Sequence, residues 1–541
     1  MPDILLIQPP IRDFYLTAKR TLPYGLASIA ASLRHAGFSV SICDGLATTK
    51  SRSIPWPGEM DHLLPYYGRS DRSPFGLFHQ FRHFGYSLEH IAGQARRSGA
   101  FLIGISSLFS AYSNTALSTA AAVRKACPDA CIVLGGHHPT ALPEAVMDHP
   151  CVDLVLRGDG EATMPLLARA LKDGTNLDAV PGLVRRRSDG SLEVKPPVVV
   201  DDLDRLPLPA QDLIQWRHYQ RSGMGSLSLA ASRGCPLRCT YCAVNAASHH
   251  GYRRRSVPSV IAELSAAFSI RPMGFIDFED EHLCADKQWV MALMREITRR
   301  FGCWRPELRA MNGLFAPALD ADILGWMRAA GFKTLNLALI TTSGSQLKRF
   351  ARPDITSDLD RVLGLALGLG MKAVAYVIIA GPGQDPFESV ADLLFLARRR
   401  VMAGVSVFYP APGSRDFRWC RRQNILPPTV GRIRATALPL AQWTDRLQAV
   451  TLLRLGRILN FMKSILDLDH RLPAPAGPPL HIDPRTDRTV IGRQLLAAFL
   501  RDGRIYGIDA DGRRYAHCTD PALTRAFIKG LRHVTLQGCG P

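Results

Sequence analysis

The sequence lacks the marks of an exported protein. Its twelve cysteines form no disulfide framework, because they are scattered along 541 residues and only three of them lie close together. No secretory signal peptide is expected, since Asp3 and Arg12 interrupt the start of the chain. Together these absences favour a reducing, cytoplasmic compartment.

The sequence also has little that indicates a membrane or a nucleic acid. Its most apolar stretch, residues 363–381, is interrupted by glycines and Lys372, so we expect no membrane span. The net charge of +19 comes largely from arginine, which is dense in residues 394–436 and 485–532. This charge could serve nucleic acid, an acidic membrane or a phosphorylated substrate. Because no aromatic-interleaved basic motif or zinc knuckle accompanies it, we expect solvated basic faces and no nucleic-acid partner.

The composition is that of an ordinary globular protein, with 47% hydrophobic and 21% charged residues. The chain is long enough for two to four domains. Residues 1–190 alternate short apolar runs with helical patterns. This alternation predicts an α/β domain with a Rossmann-like, doubly wound parallel sheet. The predicted strands are 4–7, 40–44, 101–107 and 131–134, and the predicted helices are 24–35 and 113–126.

In such sheets, ligands bind at the carboxyl ends of the strands. One glycine segment, Gly135-Gly136-His137-His138-Pro139-Thr140, follows the fourth predicted strand. A second, Gly158-Asp159-Gly160-Glu161, comes later in the chain, after the residues Val152-Asp-Leu-Val-Leu-Arg157. Glycine lets the backbone approach a bulky ligand more closely than a residue with a Cβ atom could. The other residues at these strand ends are Pro10, Asp44, Ser106 and Ser107.

Three cysteines, Cys235, Cys239 and Cys242, follow a strand-like run at residues 226–232 with CxxxCxxC spacing. Thiolates at this spacing can bind an iron–sulfur cluster, which normally takes four cysteine ligands. With only three, one position stays open for a substrate, as in catalytic metal sites. The alternatives are unconnected buried thiols, or a zinc site completed by His249 or His250.

With Pro236 and Tyr241 beside its cysteines, this stretch resembles the cluster loop of the radical SAM enzymes. The resemblance implies a [4Fe-4S] cluster whose open iron binds S-adenosylmethionine (SAM). The two glycine segments resemble the cobalamin-binding domain found ahead of many radical SAM domains. That resemblance implies cobalamin contacts from Pro10, Asp44, Ser106, Ser107, Gly135, Gly136, His137, Gly158 and Glu161.

The Asp-x-His-x-x-Gly motif that supplies a cobalt ligand in other cobalamin proteins is missing, so we expect no histidine on the lower face of cobalt. The alternative for residues 1–190 is a Rossmann-like domain that binds nothing, or another nucleotide. A link at residues 191–225 precedes six further strand patterns within 226–414, which predict a partial (β/α)6 barrel of the TIM type. Ser256 is predicted to cap the helix that follows the cysteines.

The family resemblance assigns SAM contacts to several loop ends of this barrel. Asp280 and Glu281 could accept hydrogen bonds from the SAM ammonium, and Gly381-Pro382-Gly383 resembles the family's glycine-rich segment, with Gln384 in place of its glutamate. Where relatives carry G-I-E-S, this chain has Ala338-Leu339-Ile340-Thr341, so Asn336 or Thr341 would have to replace the glutamate near the ribose. Tyr241 completes the expected SAM contacts.

The remaining segments are less informative. The insertion at residues 45–100 is rich in aromatic residues, histidine and arginine, and could cap a cofactor or line a substrate cavity. Residues 415–541 are predicted to be a mainly helical extension, with a helix at 440–466 that starts after Pro439 and a β-like segment at 504–508.

Together these features predict a cobalamin-dependent radical SAM enzyme, and most directly a methyltransferase acting on an unactivated carbon of a small molecule. The two ligand crevices both open at strand carboxyl ends, so they could share one cavity. An external one-electron donor of the flavodoxin or ferredoxin type is the expected protein partner. The alternatives are a radical ring closure or rearrangement without methyl transfer, and a non-catalytic carrier of cobalamin or of the cluster.

Overall fold

The computed structural model describes residues 1–14, 21–244 and 251–540, which form two compact units. The first unit contains residues 1–54, 81–308 and 411–423. The second contains residues 55–80, 309–410 and 424–541. Both units have α/β structure, which confirms the predicted fold class. The four-part division of the chain drawn from the sequence stays a prediction.

The first unit is built on a seven-stranded sheet. Five strands run parallel, and the strands Leu183–Arg186 and Leu192–Val194 form an antiparallel edge at one side of the sheet. All four strands predicted from the sequence are present. In spatial order the strands are Leu192–Val194, Leu183–Arg186, Leu154–Leu156, Cys131–Gly135, Leu102–Ser106, Ile4–Gln8 and Val40–Asp44.

Both faces of this sheet are buried, which explains why its strands have continuous rather than alternating apolar sequences. Ile4 and Leu6 belong to one hydrophobic cluster, whereas Leu5 and Ile7 belong to another. Each strand therefore contributes side chains to two cores, as a doubly wound sheet requires. The helices of this domain are Tyr24–His35, Leu88–Ser98, Ser113–Ala126, His137–Ala141, Pro143–Met147 and Gly160–Asp173.

Two short features of this unit differ from the sequence prediction. Residues 11–13, to which the sequence assigns no strand, form the strand Ile11–Asp13 of a small antiparallel sheet with Arg82–Phe84 and Ser51–Ser53. Leu192–Val194 extends the main sheet within the segment predicted as an irregular link. Strands of three residues are too short to show a periodic pattern, so sequence reasoning cannot detect them.

The cysteine motif comes after the strand Met224–Leu229, which belongs to a second sheet of the first unit. Its strands are, in order, Gln220–Arg221, Met224–Leu229, Met273–Phe278 and Glu307–Arg309. A two-stranded ribbon, Ser232–Arg233 with Arg253–Arg254, encloses the cysteine motif. The helices are Val257–Ile270, Lys287–Phe301 and Arg415–Arg422. Ser256 caps the first of them, accepting a hydrogen bond from the amide of Ser259 at 3.3 Å, as predicted.

The second unit contains a three-stranded parallel sheet and a helical C-terminal part. The strands are Thr334–Ile340, Lys372–Ile379 and Met402–Val407. Closure of these strands with the earlier ones into one partial barrel stays a prediction. The helices are Ala321–Ala330, Gly344–Phe350, Thr356–Gly368, Pro386–Ala397, Arg446–Asp469, Arg488–Asp502 and Pro521–Leu531, and the hairpin is Tyr506–Ile508 with Arg514–Ala516.

The helix predicted to start after Pro439 begins only at Arg446, so that prediction is wrong at this end. Asp445 and Gln448 form a capping box that fixes the helix start, satisfying amide groups that Pro439 could not. None of the helices in the described part of the chain is long and apolar enough to cross a membrane.

Residues 55–80 of the insertion pack against the C-terminal part of the second unit. Asp71 pairs with His517 at 2.8 Å and also accepts a hydrogen bond from the amide of Ser73. Arg454, which is buried, donates to the carbonyl of Phe75 at 3.1 Å. These contacts give this part of the insertion a structural role in the second unit.

Candidate active site

A cavity of about 390 Å³ lies in the first unit, at the carboxyl ends of its parallel strands. Its walls are mostly apolar. Two regions far apart in sequence line it. One is the set of strand ends and glycine segments between Leu6 and Met164, and the other surrounds the cysteine motif and includes Ala230, Ser232, Arg233, Gly234, Val244, Arg253, Glu279 and Glu281. The predicted cobalamin contacts found in the lining are Pro10, Ser106, Ser107, Gly135, Gly136, His137, Gly158 and Glu161.

Asp44, the remaining predicted cobalamin contact, is not among the described residues that line this cavity. Its carboxylate accepts hydrogen bonds from the Tyr219 hydroxyl at 2.5 Å and from the amide of Leu46 at 2.9 Å. Burial raises its pKa, and these hydrogen bonds oppose the rise. Asp44 therefore has a structural role in this arrangement.

Gly136 and Gly158 hold backbone conformations that favour glycine. Gly136 has a φ of +120°, and a Cβ atom there would lie 2.7 Å from the carbonyl oxygen of Ser107. Gly158 has a φ of +88°, and its Cβ would lie 2.0 Å from the carbonyl oxygen of Val198. Since L side chains rarely adopt such φ values and the space is filled by backbone, both positions need glycine for local geometry.

The polar side chains near these glycines differ in whether they could form a hydrogen bond with a ligand. The buried hydroxyl of Ser107, a lining residue, has no hydrogen-bond partner within residues 1–14, 21–244 and 251–540. A buried hydroxyl without a partner is costly, so it is suited to a bound ligand. His137 is exposed and lines the cavity, whereas His138 is buried with Nδ1 3.0 Å from Ser110. Burial lowers the pKa of His138 to about 4, so this ring is neutral near pH 7.

The three motif cysteines lie close enough to influence one another. Burial raises the pKa of Cys242 to about 11, and the nearby thiols of Cys239 and Cys235 and the Glu281 carboxylate add to the increase. A bound metal would reverse this tendency, because a coordinating thiol is deprotonated. In the described residues, no three histidine, cysteine, aspartate or glutamate side chains are grouped to hold a metal ion. His249 and His250, the alternative zinc ligands, lie outside the described residues.

The cysteine motif is held from one side by the helix Arg415–Arg422. The Thr240 hydroxyl donates to the Asp416 carboxylate at 2.8 Å, and the Asp416 amide donates to the Thr240 carbonyl at 2.9 Å. Arg415 donates to the carbonyl of Arg238. Sequence reasoning assigned residues 415 and 416 to the C-terminal extension and did not detect this contact.

Asp280 and Glu281, both predicted SAM contacts, have different surroundings. Asp280 is buried and accepts hydrogen bonds from the amide of Ala231 at 3.1 Å and from the hydroxyl of Ser232. Burial raises its pKa to about 7. Glu281 lines the cavity with Glu279 and accepts a hydrogen bond from the amide of Gly234 at 2.9 Å. Among these three residues, Glu279 and Glu281 line the cavity and Asp280 does not.

Tyr241, a further predicted SAM contact, belongs to the cysteine motif of the first unit. The other predicted SAM contacts lie in the second unit, and the role of all of them stays a prediction. Asn336 donates to the Tyr376 hydroxyl at 2.6 Å, while its own side-chain oxygen is buried without a partner in the described structure. Thr341 is buried and accepts from the amide of Ser343 at 3.1 Å. Ile340, at the position of the family's glutamate, has a φ of +78° at a strand irregularity, which is a strained conformation for a β-branched residue.

The glycine-rich turn Gly381-Pro382-Gly383 is held by Gln384, whose side chain is buried. The amide of Gly381 donates to Gln384 Oε1 at 2.9 Å, and Gln384 Nε2 donates to the carbonyl of Ile378 at 3.2 Å. A glutamate could accept the first hydrogen bond but could not donate the second when ionised. The glutamine therefore fits this turn.

A salt-bridge network that sequence reasoning missed joins the second glycine segment to the cysteine motif. Arg233 contacts Asp159 at 2.9 Å and Glu161 at 2.6 Å, and Arg253 contacts Asp159 at 3.2 Å. Burial by itself would lower the pKa of Arg233, but the Glu161 and Asp159 carboxylates raise it above its ordinary value. Arg233 is therefore fully charged. We call Asp159, Glu161, Arg233 and Arg253 the salt-bridge network.

Comparison with known proteins agrees with this geometry. The model of the B12 binding domain family matches residues 78–168, which include most of the predicted cobalamin contacts. Cytidylyl-2-hydroxyethylphosphonate methyltransferase of Streptomyces wedmorensis is 24% identical over 477 residues, covering 80% of this chain and 84% of the relative. Anaerobic magnesium-protoporphyrin IX monomethyl ester cyclase of Synechocystis is 28% identical over 244 residues, covering 43% of this chain and 47% of the relative.

A similar fold is found in the cobalamin-dependent S-adenosylmethionine radical enzyme OxsB, in a structure with aqua-cobalamin and SAM bound. The TM-score is 0.65 at 16% identity, and the match covers 88% of this chain and 69% of that one. In sequence and fold the chain is thus similar to cobalamin-dependent radical SAM enzymes, as the resemblance seen in the sequence predicts. The cavity described above is its candidate active site.

Proposed function

We propose that this protein is a cobalamin-dependent radical SAM enzyme, which binds cobalamin, a [4Fe-4S] cluster and SAM and methylates a carbon atom of a small-molecule substrate. The observation that carries the proposal is the shared cavity. Its lining includes both the glycine segments and residues next to the cysteine motif. Two cofactors bound at these places would open into one space.

The mostly apolar walls and the few polar groups of the cavity suit a large ligand that has both an apolar face and polar edges. Gly136 and Gly158 bring backbone to the wall, and the Ser107 hydroxyl, which has no partner among the described residues, offers a hydrogen bond. We assign cobalamin to this part of the cavity. His138 would not serve as a ligand of cobalt, because its ring is turned to Ser110 inside the protein.

The cysteine side of the cavity suits a cluster and a cationic ligand. Cys235, Cys239 and Cys242 would hold three irons as thiolates, and the fourth iron would stay open. Glu279 and Glu281 present carboxylates to the cavity, where the ammonium and sulfonium charges of SAM would be favourable. Asp280 would act indirectly, by holding the backbone of residues 231 and 232. When bound, the cofactors supply the one-electron cleavage of SAM and the carrier of the methyl group, and the protein positions them.

The comparison with the magnesium-protoporphyrin cyclase favours a second function, which is ring closure without methyl transfer. Both functions need a one-electron donor, and we propose a flavodoxin- or ferredoxin-like protein for this role. The two functions differ in their products. Methyl transfer uses a second SAM and yields S-adenosylhomocysteine, whereas ring closure does not.

The proposal is tested on anaerobically purified protein supplied with cobalamin, SAM and reduced flavodoxin. We expect stoichiometric cobalamin, about four irons per chain and formation of 5′-deoxyadenosine, with S-adenosylhomocysteine if methyl transfer occurs. The Cys239→Ala variant should lose iron and 5′-deoxyadenosine formation but keep cobalamin. Protein that binds cobalamin and forms 5′-deoxyadenosine with a substrate, but never S-adenosylhomocysteine, would favour ring closure. Protein that does neither would contradict both functions.

A further inference from the structure

In the sequence, the cysteine motif lies between the two strands of the ribbon, Ser232–Arg233 and Arg253–Arg254. In this antiparallel ribbon, Arg233 and Arg253 are direct partners in the register. Two like charges placed opposite each other destabilise a strand pair. The ribbon therefore needs a compensating negative charge to stay paired.

Asp159 and Glu161 supply that charge. One Asp159 oxygen accepts from Arg233 at 2.9 Å, and the other lies 3.2 Å from Arg253. Glu161 accepts from Arg233 at 2.6 Å, so two cations face two carboxylates. The Arg253 and Glu161 side chains are only 9% and 7% exposed, so solvent screens these contacts weakly.

The carboxylates belong to the wall of the cavity. Asp159 and Glu161 flank the start of the helix Gly160–Asp173, and all residues from Gly158 to Glu161 line the cavity. The amide of Asp159 donates to the carbonyl of Val198 at 2.8 Å, and its carboxylate accepts from the amide of Val200 at 2.8 Å. A ligand that orders this wall would thus fix the position of the carboxylates that keep the two strands of the ribbon paired.

We infer that the salt-bridge network couples the two cofactor sites energetically. Cobalamin in the cavity should favour pairing of the ribbon Ser232–Arg233 with Arg253–Arg254, and hence retention of the cluster. By reciprocity, the assembled cluster should raise the affinity for cobalamin by the same factor. Arg233, Arg253, Asp159 and Glu161 are positioning residues in this inference, which rests on the proposed function.

The test compares the dissociation constant of cobalamin, measured by absorbance titration, in iron-free protein and in protein with the reconstituted cluster. For the unaltered protein, we expect the cluster to tighten binding about tenfold or more, within the usual range of coupling between sites. The coupling ratio is the dissociation constant of cobalamin in iron-free protein divided by that in cluster-loaded protein. In Arg233→Lys, which keeps the charge but cannot bond to Asp159 and Glu161 through two nitrogens, this ratio should fall to about two or less. Asp159→Asn should lower the ratio in the same way.

Arg34→Lys is the matched control. Like Arg233, Arg34 makes two hydrogen bonds to carboxylate oxygens, here the two oxygens of Asp212 at 2.9 and 2.8 Å. This pair is more exposed, and neither residue lines the cavity. This variant should keep the full ratio. A ratio near one in the unaltered protein, or a full ratio in Arg233→Lys, would overturn the inference.

A second measurement covers variants that bind either cofactor too weakly for titration. In iron-free protein, cobalamin should slow amide hydrogen exchange of residues 251–256 in the unaltered chain and in Arg34→Lys, but not in Arg233→Lys. Equal protection in Arg233→Lys would refute the coupling. If the unaltered protein binds no cobalamin at all, the proposed function itself fails, which is a different outcome from binding without coupling.

Discussion

The substitution Gly158→Ala tests the cavity wall most sharply, because the chain contains a matched glycine nearby. Gly158 precedes the helix Gly160–Asp173, and Gly174 ends it. Both have positive φ, +88° and +63°. A Cβ on Gly158 would lie 2.0 Å from the Val198 carbonyl oxygen, whereas a Cβ on Gly174 would meet nothing within 4 Å.

The two variants therefore separate backbone strain from steric conflict. Alanine in the left-handed region costs about 1–2 kcal/mol at either position. At Gly158 the overlap with the Val198 backbone adds about 1–3 kcal/mol, as in other overpacked sites. We expect Gly158→Ala to lower the free energy of unfolding by roughly 2–5 kcal/mol and Gly174→Ala by about 1–2 kcal/mol.

Two assays follow this difference. Thermal unfolding should show a clearly larger decrease of the midpoint for Gly158→Ala than for Gly174→Ala. Absorbance titration should show weaker cobalamin binding for Gly158→Ala alone, because the wall must shift to accommodate the methyl group. If the two variants unfold at the same temperature and bind cobalamin equally, the close approach at Gly158 does not shape the cavity.

Three further predictions concern the cysteine side of the site. Glu281→Gln can still accept from the Gly234 amide but loses its charge, so SAM affinity in equilibrium dialysis should fall about 10- to 100-fold; an unchanged affinity would exclude a charge contact. Asp280 has a folded-state pKa of about 7, above its unfolded value, so its stabilising effect is present at low pH and is lost as the pH rises to 7. Between pH 6 and 8 the unaltered protein should lose about 1 kcal/mol more stability than Asp280→Asn, and parallel denaturation curves for the two would contradict this. Thr240→Val leaves the buried Asp416 carboxylate short of a donor, so a chelator should remove iron faster than from the unaltered protein; equal rates would show that this contact does not hold the motif.

The parallel sheet of the first unit could be predicted from the sequence because each strand is buried on both faces. Residues 4–7 are all apolar, and the structure divides them between two hydrophobic clusters. The three-residue strand Ile11–Asp13 could not be predicted in this way. Its pairing with Arg82–Phe84 depends on residues about 70 positions away rather than on a local pattern.

The candidate site was predictable where a motif lies in one stretch of chain. The glycine segments and the cysteines are such motifs, whereas the contact of Thr240 with Asp416 joins residues 176 positions apart. Among Glu279, Asp280 and Glu281, sequence reasoning chose the last two as ligand contacts. The structure instead places Glu279 and Glu281 in the cavity lining and leaves Asp280 out of it. The sequence of residues 279–281 offers no local pattern that separates the three, because the strand ends at Phe278.

We propose that one cavity serves both cofactors, and a spectroscopic measurement tests this directly. Cobalamin and the cluster are loaded together under anaerobic conditions, and SAM is added to the reduced protein. We expect SAM to change the electron paramagnetic resonance of the reduced cluster, and bound cob(II)alamin and the cluster to show magnetic coupling. Full loading of both cofactors with unperturbed, independent spectra would contradict the shared cavity.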